Sequence, residues 1–263
     1  MGIIAFMSDF GLEDYYVGAV KAVIKRVCPS SEVIDITHAV APWSLLEADY
    51  LLSCCYDDFP PGTIFLVVVD PGVGTSRRAL IAKTRDYWFI GPDNGVFSGV
   101  LEKSSNLELW SIRSVPHKHK SSTTFHGRDV FAPVAAHISC GGRVEDVGER
   151  VTDYVRLNKP PTRLEGDILT GYVAHIDRFG NVATSIDKGL LEDAGIEAGS
   201  MVGVWVGNRY FELSVLRTFG EAGEGELFAL INSCEKLEFA VNKGRASDKL
   251  SVRVGDTLRV KRL

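Results

Sequence analysis

Thr63-Ile64-Phe65-Leu66-Val67-Val68-Val69-Asp70-Pro71-Gly72-Val73-Gly74 is the stretch on which the fold turns. A short run of branched and aromatic residues without polar alternation is the pattern of a strand buried on both faces. Proline and glycine then stop it in a turn immediately after Asp70. On its N-terminal side, Ile3–Met7 reads as a strand ending in Ser8-Asp9-Phe10-Gly11. A helix is predicted over Tyr15–Val27, capped by Asp14, with Tyr16, Val20, Val23 and Val27 on one face and Pro29 as its stop. Val33–Ile36 is a second strand, and Ser44 with Glu47 forms a capping box before a helix at Leu45–Cys55. Beyond the central run, Leu80–Thr84 and Tyr87–Ile90 read as strands and Val96–Leu101 as a short helix. Val130–Ser139 reads as a helix that tolerates Pro133 only near its first turn.

The character changes at Asn158-Lys159-Pro160-Pro161-Thr162-Arg163, a polar, proline-rich stretch that reads as a stiff linker. Past it, Ile168–Ile176, Met201–Val206, Arg209–Leu216, Gly225–Ile231, Leu237–Val241 and Thr257–Val260 are strand candidates separated by glycine turns. One short helical stretch, near Leu190–Ala194, intervenes. The expected architecture is an α/β, sandwich-like N-terminal domain with a central sheet over residues 1–157, a linker over 158–166, and a smaller all-β, barrel-like domain over 167–263.

The chain has 263 residues, 45% of them hydrophobic and 24% charged, which excludes disorder, collagen and coiled coil. No apolar run reaches the roughly 18 residues of a membrane span, and Met1–Phe6 lacks the features of a secretory signal. These features point to a cytoplasmic protein with no membrane partner. Lysine and arginine total 29 against 34 acidic residues, a net charge of −5 that argues against a nucleic-acid partner and is compatible with a small-molecule substrate. The five cysteines are odd in number, two are adjacent, and there is no CxxC. Reduced, mostly buried thiols are therefore expected, rather than a disulfide framework or a zinc knuckle.

Ligands of open α/β sheets gather where strands end and loops begin. Four polar clusters fall at such places: Ser8–Gly11 with Asp14; Asp70–Gly74 with Arg77 and Arg78; Pro92-Asp93-Asn94-Gly95; and Thr124-Phe125-His126-Gly127-Arg128-Asp129. Each alone has an ordinary explanation as turn residues or helix caps. Together they supply an acid, a cation and a loop histidine, the set that activates a water and stabilises the resulting hydroxide. The rival use of Asp9, Asp70, Asp93 and His126 is metal ligation, but no HxxxH or HExxH spacing accompanies them, and no metal is expected. There is no Walker loop, GxGxxG or GxSxG elbow. Of the other histidines, His38 follows a strand and can approach the same sheet edge. His117 and His119 lie in a basic stretch with Lys118 and Lys120 that reads as a solvated loop, and His137 reads as a packing residue.

Six motifs then occur in order: Met7–Gly11; Ile36-Thr37-His38 with Pro42-Trp43; Val69–Gly74; Gly91–Gly95; Phe125–Asp129; and Asp177-Arg178-Phe179-Gly180-Asn181. With Asn232-Ser233 and Ala240-Val241-Asn242-Lys243-Gly244 near the C-terminus, the chain resembles the S-adenosyl-L-methionine hydroxide adenosyltransferases, relatives of fluorinase and chlorinase, essentially end to end. The resemblance implies cleavage of S-adenosylmethionine, as substrate and with no cofactor, to adenosine and methionine by hydroxide attack at the ribose C5′. It implies a catalytic trio of Asp70, Arg77 and His126, with Asp9 on the ribose diol and Trp43 as an aromatic wall. Asp14, Asp177 and Ser233 match positions that hold the methionine portion, Phe179 and Asn181 face adenine, and Phe125 and Val241 complete the substrate contacts. A homotrimer with its sites between subunits is implied as well. The halide-using relatives lack the charged trio, which favours hydroxide here. Two other classes remain open from the residues themselves: a metal-dependent nucleotide hydrolase, and a non-catalytic binder of adenosine or S-adenosylmethionine.

Overall fold

The central run forms a strand at Ile64–Val68, all five residues buried, and its surroundings explain why it shows no alternation. Ile64, Leu66 and Val68 face one apolar cluster, while Phe65, Val67 and Val69 face another on the opposite side of the sheet. The computed structural model describes residues 2–116 and 120–263, so His117, Lys118 and His119 lie outside the described residues. The chain divides into two compact units, Met1–Asn158 and Lys159–Leu263.

The first unit is a seven-stranded sheet. Its strands are β1 (Ile3–Ser8), β2 (Glu32–Thr37), β3 (Ile64–Val68), β4 (Ala79–Lys83), β5 (Trp88–Pro92), β6 (Glu108–Ile112) and β7 (Gly148–Val151). They lie in the order β2-β1-β3-β5-β4-β6-β7. The pairs among β2, β1, β3 and β5 are parallel, and β4, β6 and β7 add antiparallel pairs. Helices α1 (Tyr16–Val27) and α4 (Ala132–Ser139) cover one face, through Val17, Val20, Ile24 and Val134; α2 (Leu45–Cys55) and α3 (Ser98–Leu101) cover the other, through Ala48, Leu52, Val100 and Leu101. Parallel strands with helices on both faces place the loops after β1 and β3 at one end of the sheet, where such folds hold ligands.

Some local expectations change. Asp14 does not cap α1: the N-cap is Tyr15, in helical conformation and without a side-chain cap bond. The face of α1 turned inward is Val17, Val20 and Ile24, with Tyr16, Val23 and Val27 at its margin. Ser44 caps α2, its Oγ accepting from Glu47 N at 3.4 Å, and the Glu47 carboxylate accepts from Ala41 N at 2.8 Å. Pro133 sits in the first turn of α4, which grows out of a π-turn at Gly127–Phe131. Such wide turns often mark functional sites.

The second unit is an antiparallel sheet of eight strands: β8 (Arg163–Glu165), β9 (Ile168–Ile176), β10 (Val182–Asp187), β11 (Met201–Val206), β12 (Arg209–Ser214), β13 (Leu227–Ile231), β14 (Lys236–Val241) and β15 (Thr257–Arg262). The order is β12-β11-β15-β9-β10-β14-β13 with β8 on β9, and a bridge between Val215 and Ala229 nearly closes the two ends into a barrel. Leu169, Val173, Val182, Val204, Phe239 and Val260 fill it. Arg163–Glu165 is a strand paired with β9, not extended linker.

The expectation of reduced thiols is overturned. Cys28 and Cys140, the residues that close α1 and α4 and lie 112 positions apart in the chain, form a disulfide with Cα atoms 5.8 Å apart. That separation leaves no local signal in sequence. Cys55 keeps its thiol, and burial, with Asp58 and Asp57 nearby, pushes its pKa up to about 11. Closing so long a loop restricts the unfolded chain. The Cys28→Ala/Cys140→Ala variant is therefore expected to lose about 2–5 kcal/mol of stability in denaturant titration, with the far-UV dichroism of the folded state unchanged.

Candidate active site

Asp9 is the first residue past β1 and Asp70 the second past β3, so parallel pairing sets the two carboxylates at neighbouring strand ends. The chain after Asp70 turns back tightly. Val73 N donates to Asp70 O at 3.2 Å, and Thr75 Oγ1 donates to Gly72 O at 2.7 Å. Gly74 has φ +79°, and a Cβ there would stand 2.5 Å from the Thr123 carbonyl oxygen, so glycine is required both by conformation and by the close approach of the segment that carries His126. Asn94 secures the other side: its Nδ2 donates to Val69 O at 2.9 Å, fixing the end of β3, while its Oδ1 accepts from Val96 N.

The turn returns Arg77 onto Asp70. Arg77 Nε donates to Asp70 Oδ1 at 2.9 Å and to Oδ2 at 3.1 Å, and Nη2 makes a short contact with Oδ2. Nη2 also reaches His126 Nδ1 at 2.7 Å. A guanidinium has only donors, so Nδ1 is an acceptor and the neutral ring carries its proton on Nε2. Burial and the Arg77 charge hold the His126 pKa below 6.5, against the opposing pull of Asp70 and Asp129. Arg77 also lies over the Phe131 ring, 5.2 Å from its centroid. The side chains of Arg77 and Asp70 are 10% and 6% exposed, so the pair is screened from water on most sides.

Beside the trio is a cavity of about 260 Å³ whose wall includes Asp9, Trp43, Asp70, Phe125 and His126. Asp9 Oδ2 accepts from Trp43 N at 2.9 Å. Its pKa is raised, first by burial and also by the Asp70 charge, while the Trp43 amide opposes. Trp43 has φ +63° and is 71% exposed at the rim. Phe125 is buried against Phe10 and Tyr16, with ring centroids 5.8 and 5.3 Å away, and Arg128 covers its other side. Tyr16 and Phe10 also line the cavity. Sequence reading gave them no role there; the aromatic spacing around Asp9 was the available signal. Asp14 is exposed and does not line the cavity.

Asp93, counted among possible metal ligands, is committed elsewhere: Arg78 Nε donates to it at 2.7 Å and Val155 N at 2.8 Å. Among the described residues no three His, Cys, Asp or Glu side chains converge as a metal-binding group.

In the second unit the β9–β10 turn is built on Asp177, which accepts from Asn181 N and Asn181 Nδ2, both at 2.8 Å. That fixes the amide of Asn181 and leaves Phe179 at the tip, 74% exposed. Gly180, with φ +85°, faces Arg245 where a side chain would clash. Val241, at the end of β14, is buried, and Ser233 is exposed in the β13–β14 turn. Glu238 joins these turns: Asn232 Nδ2 donates to it at 2.9 Å, and burial together with the Asp177 charge raises its pKa.

Fold and site define the class: an α/β sheet with a guanidinium-bridged carboxylate and imidazole at its strand ends, joined in sequence to an antiparallel barrel bearing polar turns. Family models for the SAM hydroxide adenosyltransferase N-terminal and C-terminal domains match residues 4–148 and 171–259. The chain belongs to the SAM hydroxide adenosyltransferase family. It is 39% identical to a protein of Thermus thermophilus named (R)-S-adenosyl-L-methionine hydrolase, across 97% of this chain and 98% of the relative. It is 31% identical to a fluorinase of Nocardia brasiliensis, across 98% and 96% of the two chains. The crystal structure of an uncharacterized conserved protein from Thermotoga maritima superposes with a TM-score of 0.94 at 45% identity, covering 98% of this chain and all of that one (100%).

The trio makes a prediction about protonation. In the parent, His126 titrates below 6.5, so its burial weakens the fold only as pH falls from about 6.5 through the folded value, and not above it. In Arg77→Met the repelling cation is gone while Asp70 stays. The His126 pKa, read from its ring resonances in a pH series, should rise above the parent's.

Proposed function

We propose that this chain hydrolyses S-adenosyl-L-methionine to adenosine and L-methionine, with water delivered as hydroxide to the ribose C5′. The observation that carries the reading is Arg77, bonded at once to Asp70 and His126 beside an aromatic-walled cavity. Family membership and the names of its relatives support the substrate.

The chemistry follows from the donors and acceptors. Asp70 meets Arg77 with both oxygens but keeps lone pairs free, so it is the proton acceptor for the attacking water. His126 is not, because its Nδ1 is occupied by Arg77; its Nε2–H orients the same water. Arg77 stabilises the hydroxide as it forms. The O–C5′ bond forms while the C5′–S bond breaks, the electron pair goes to sulfur, and the proton on Asp70 leaves to solvent. Methionine departs as a neutral thioether, so no general acid is required. Hydroxide and sulfonium lose charge together, a step favoured where water is excluded and in-line placement is fixed.

Asp9 would accept from the ribose diol and Trp43 would wall the sugar. Asp14, Asp177 and Ser233 would hold the methionine portion, Phe179 and Asn181 would take adenine, and Phe125 and Val241 would complete the contacts. Because these positions belong to two units, we propose a cyclic homotrimer in which one subunit's first unit meets its neighbour's second. Leu12, Tyr15 and Trp43 in the first unit and Phe179 in the second, each more than 60% exposed, are large apolar groups suited to such a covered face. The cytoplasm, where the substrate is made, is the proposed compartment; among the described residues no helix is long and apolar enough to cross a membrane.

Four measurements check this. In ¹⁸O water the label should appear at the 5′ oxygen of adenosine and not in methionine, and excess chloride or fluoride should yield no 5′-halo-nucleoside. Asp70→Asn, Arg77→Met and His126→Ala should each lower kcat by about 10²–10⁴-fold, with double variants little worse than singles because the groups act as a unit. His126→Ala and Asn181→Ala, each nearly inactive alone, should regain activity when unfolded, mixed equally and refolded, in about one site of four. Confirmed mixed trimers that stay inactive would reject the shared site.

A further inference from the structure

Outside the trio, Ser8, His38 and Asp35 stand in a line. Ser8 Oγ lies 2.7 Å from His38 Nδ1, and His38 Nε2 is 3.1 Å from Asp35 Oδ1 in an ion-pair contact without well-aligned hydrogen-bond geometry. Lys21 Nζ donates to Asp35 Oδ2 at 2.5 Å. The sequence of groups is that of a serine hydrolase, but Ser8 has no solvent-exposed surface (0%) and His38 is 5% exposed. A nucleophile must be reachable, so the line has another use.

Its surroundings show what that use is. Ser8 and Gly11 bracket the loop that carries Asp9, and His38 holds both ends of it. The imidazole takes Ser8, and the His38 carbonyl accepts from Gly11 N at 2.8 Å. The Phe6 ring packs edge-on to the imidazole, centroids 4.6 Å apart. The same chain continues to Trp43, whose amide donates to the Asp9 carboxylate. Two loops from adjacent parallel strands are thus stitched together at three points, and of the stitched residues Asp9 supplies the carboxylate that lines the cavity, with Trp43 beside it.

We infer that His38 is a positioning residue: with Ser8 and Asp35 it fixes the Ser8–Gly11 loop so that the Asp9 carboxylate is aimed at the ligand. The inference rests on the function proposed above only for the ligand's identity. Burial keeps His38 neutral despite Asp35. With Asp35 facing Nε2, the proton sits there and Nδ1 is left to accept the Ser8 hydroxyl hydrogen. Ser8 Oγ then remains an acceptor for Phe10 N, 3.4 Å away, inside the loop. A serine whose proton is taken by a rigid ring has one hydroxyl orientation rather than three, and the loop inherits that restriction.

The test separates aiming from folding. Ser8→Ala removes only a buried oxygen, and His38→Gln places its amide near the Nε2 end while abandoning Ser8; His38→Asn places an acceptor near Nδ1. For S-adenosylmethionine, Ser8→Ala and His38→Gln should raise KM about five- to tenfold, the effect of one lost hydrogen bond, with kcat falling far less. His38→Asn should recover most of that KM. In a cycle with Asp9→Asn, Ser8→Ala should add little to the single Asp9 change, because it acts through Asp9. Amide hydrogen exchange of Trp43 and Gly11, which needs no substrate, should quicken in Ser8→Ala and His38→Gln while melting temperature is held. Parent protein inactive on S-adenosylmethionine but with the exchange effect present would overturn the proposed substrate alone. Unchanged exchange at both amides, or full additivity with Asp9→Asn, would overturn the positioning role.

Discussion

One guanidinium organises the polar strand-end cluster of the first unit. A carboxylate as buried as Asp70 is costly unless charge-compensated and hydrogen-bonded, and Arg77 supplies both through two nitrogens at once. Burial and the same cation lower the His126 pKa, and the cation fixes its tautomer. Remove it and three things change together: the carboxylate is unpaired, the imidazole gains proton affinity, and the site loses its positive charge. A lysine could match the charge but not the fork that spans a carboxylate and a ring nitrogen. The glycine turn at Gly72–Gly74, the Asn94 clamp on Val69 and the close seat under Thr123 all serve to return this one side chain to the strand that it follows.

The scaffold explains how such a site is kept dry without being sealed. β3 is apolar on both faces because helices cover both, and polar groups gather at its carboxyl end, where Asp70 follows it. Phe125, Phe10, Tyr16 and Phe131 then surround the charged groups with rings. Low local polarity strengthens the Asp70–Arg77 attraction and raises the proton affinity of Asp9. The disulfide between Cys28 and Cys140 ties together the ends of the two helices that cover this face.

Much of this was legible in sequence where a residue's role is local. The central strand, the Ser44 cap, the Pro133 constraint and the strand-end clusters all announce themselves by type and spacing. What failed depended on distance. Asp14 has the right chemistry for a cap, yet the helix starts at Tyr16, after Tyr15, because packing rather than capping sets its phase. β6 and β7 pair only through the tertiary fold and carry mixed polarity, so neither reads as a strand. Val182–Asp187, with Thr, Ser and Asp among its residues, hides for the same reason. The disulfide joins residues 112 apart, and no pattern in either neighbourhood foretells it. His38 was placed at the correct sheet edge, but its partners Ser8 and Asp35 lie on two different strands, β1 and β2, and only their pairing reveals the line.

The charges near the cavity also bear on which nucleophile the site admits. Asp9 and Asp70 are anionic when ionised, Arg77 is cationic, and His126 is held neutral, so the four groups carry one net negative charge. A sulfonium is drawn to such a site; a free halide is repelled unless the Arg77 field is released from Asp70, which the bidentate contact prevents. On the mechanism proposed above, water enters without that penalty because it is neutral, and would become an anion only as its proton moves to Asp70, when the sulfonium is present to offset it. In that proposal the charge that discourages halide is the charge that makes the nucleophile. After the bond changes hands neither product carries a sulfonium, and the electrostatic attraction that held the substrate is gone, which favours release. On the proposed mechanism, selectivity for water, activation of it and discharge of the products would all follow from one arrangement of a carboxylate and a guanidinium.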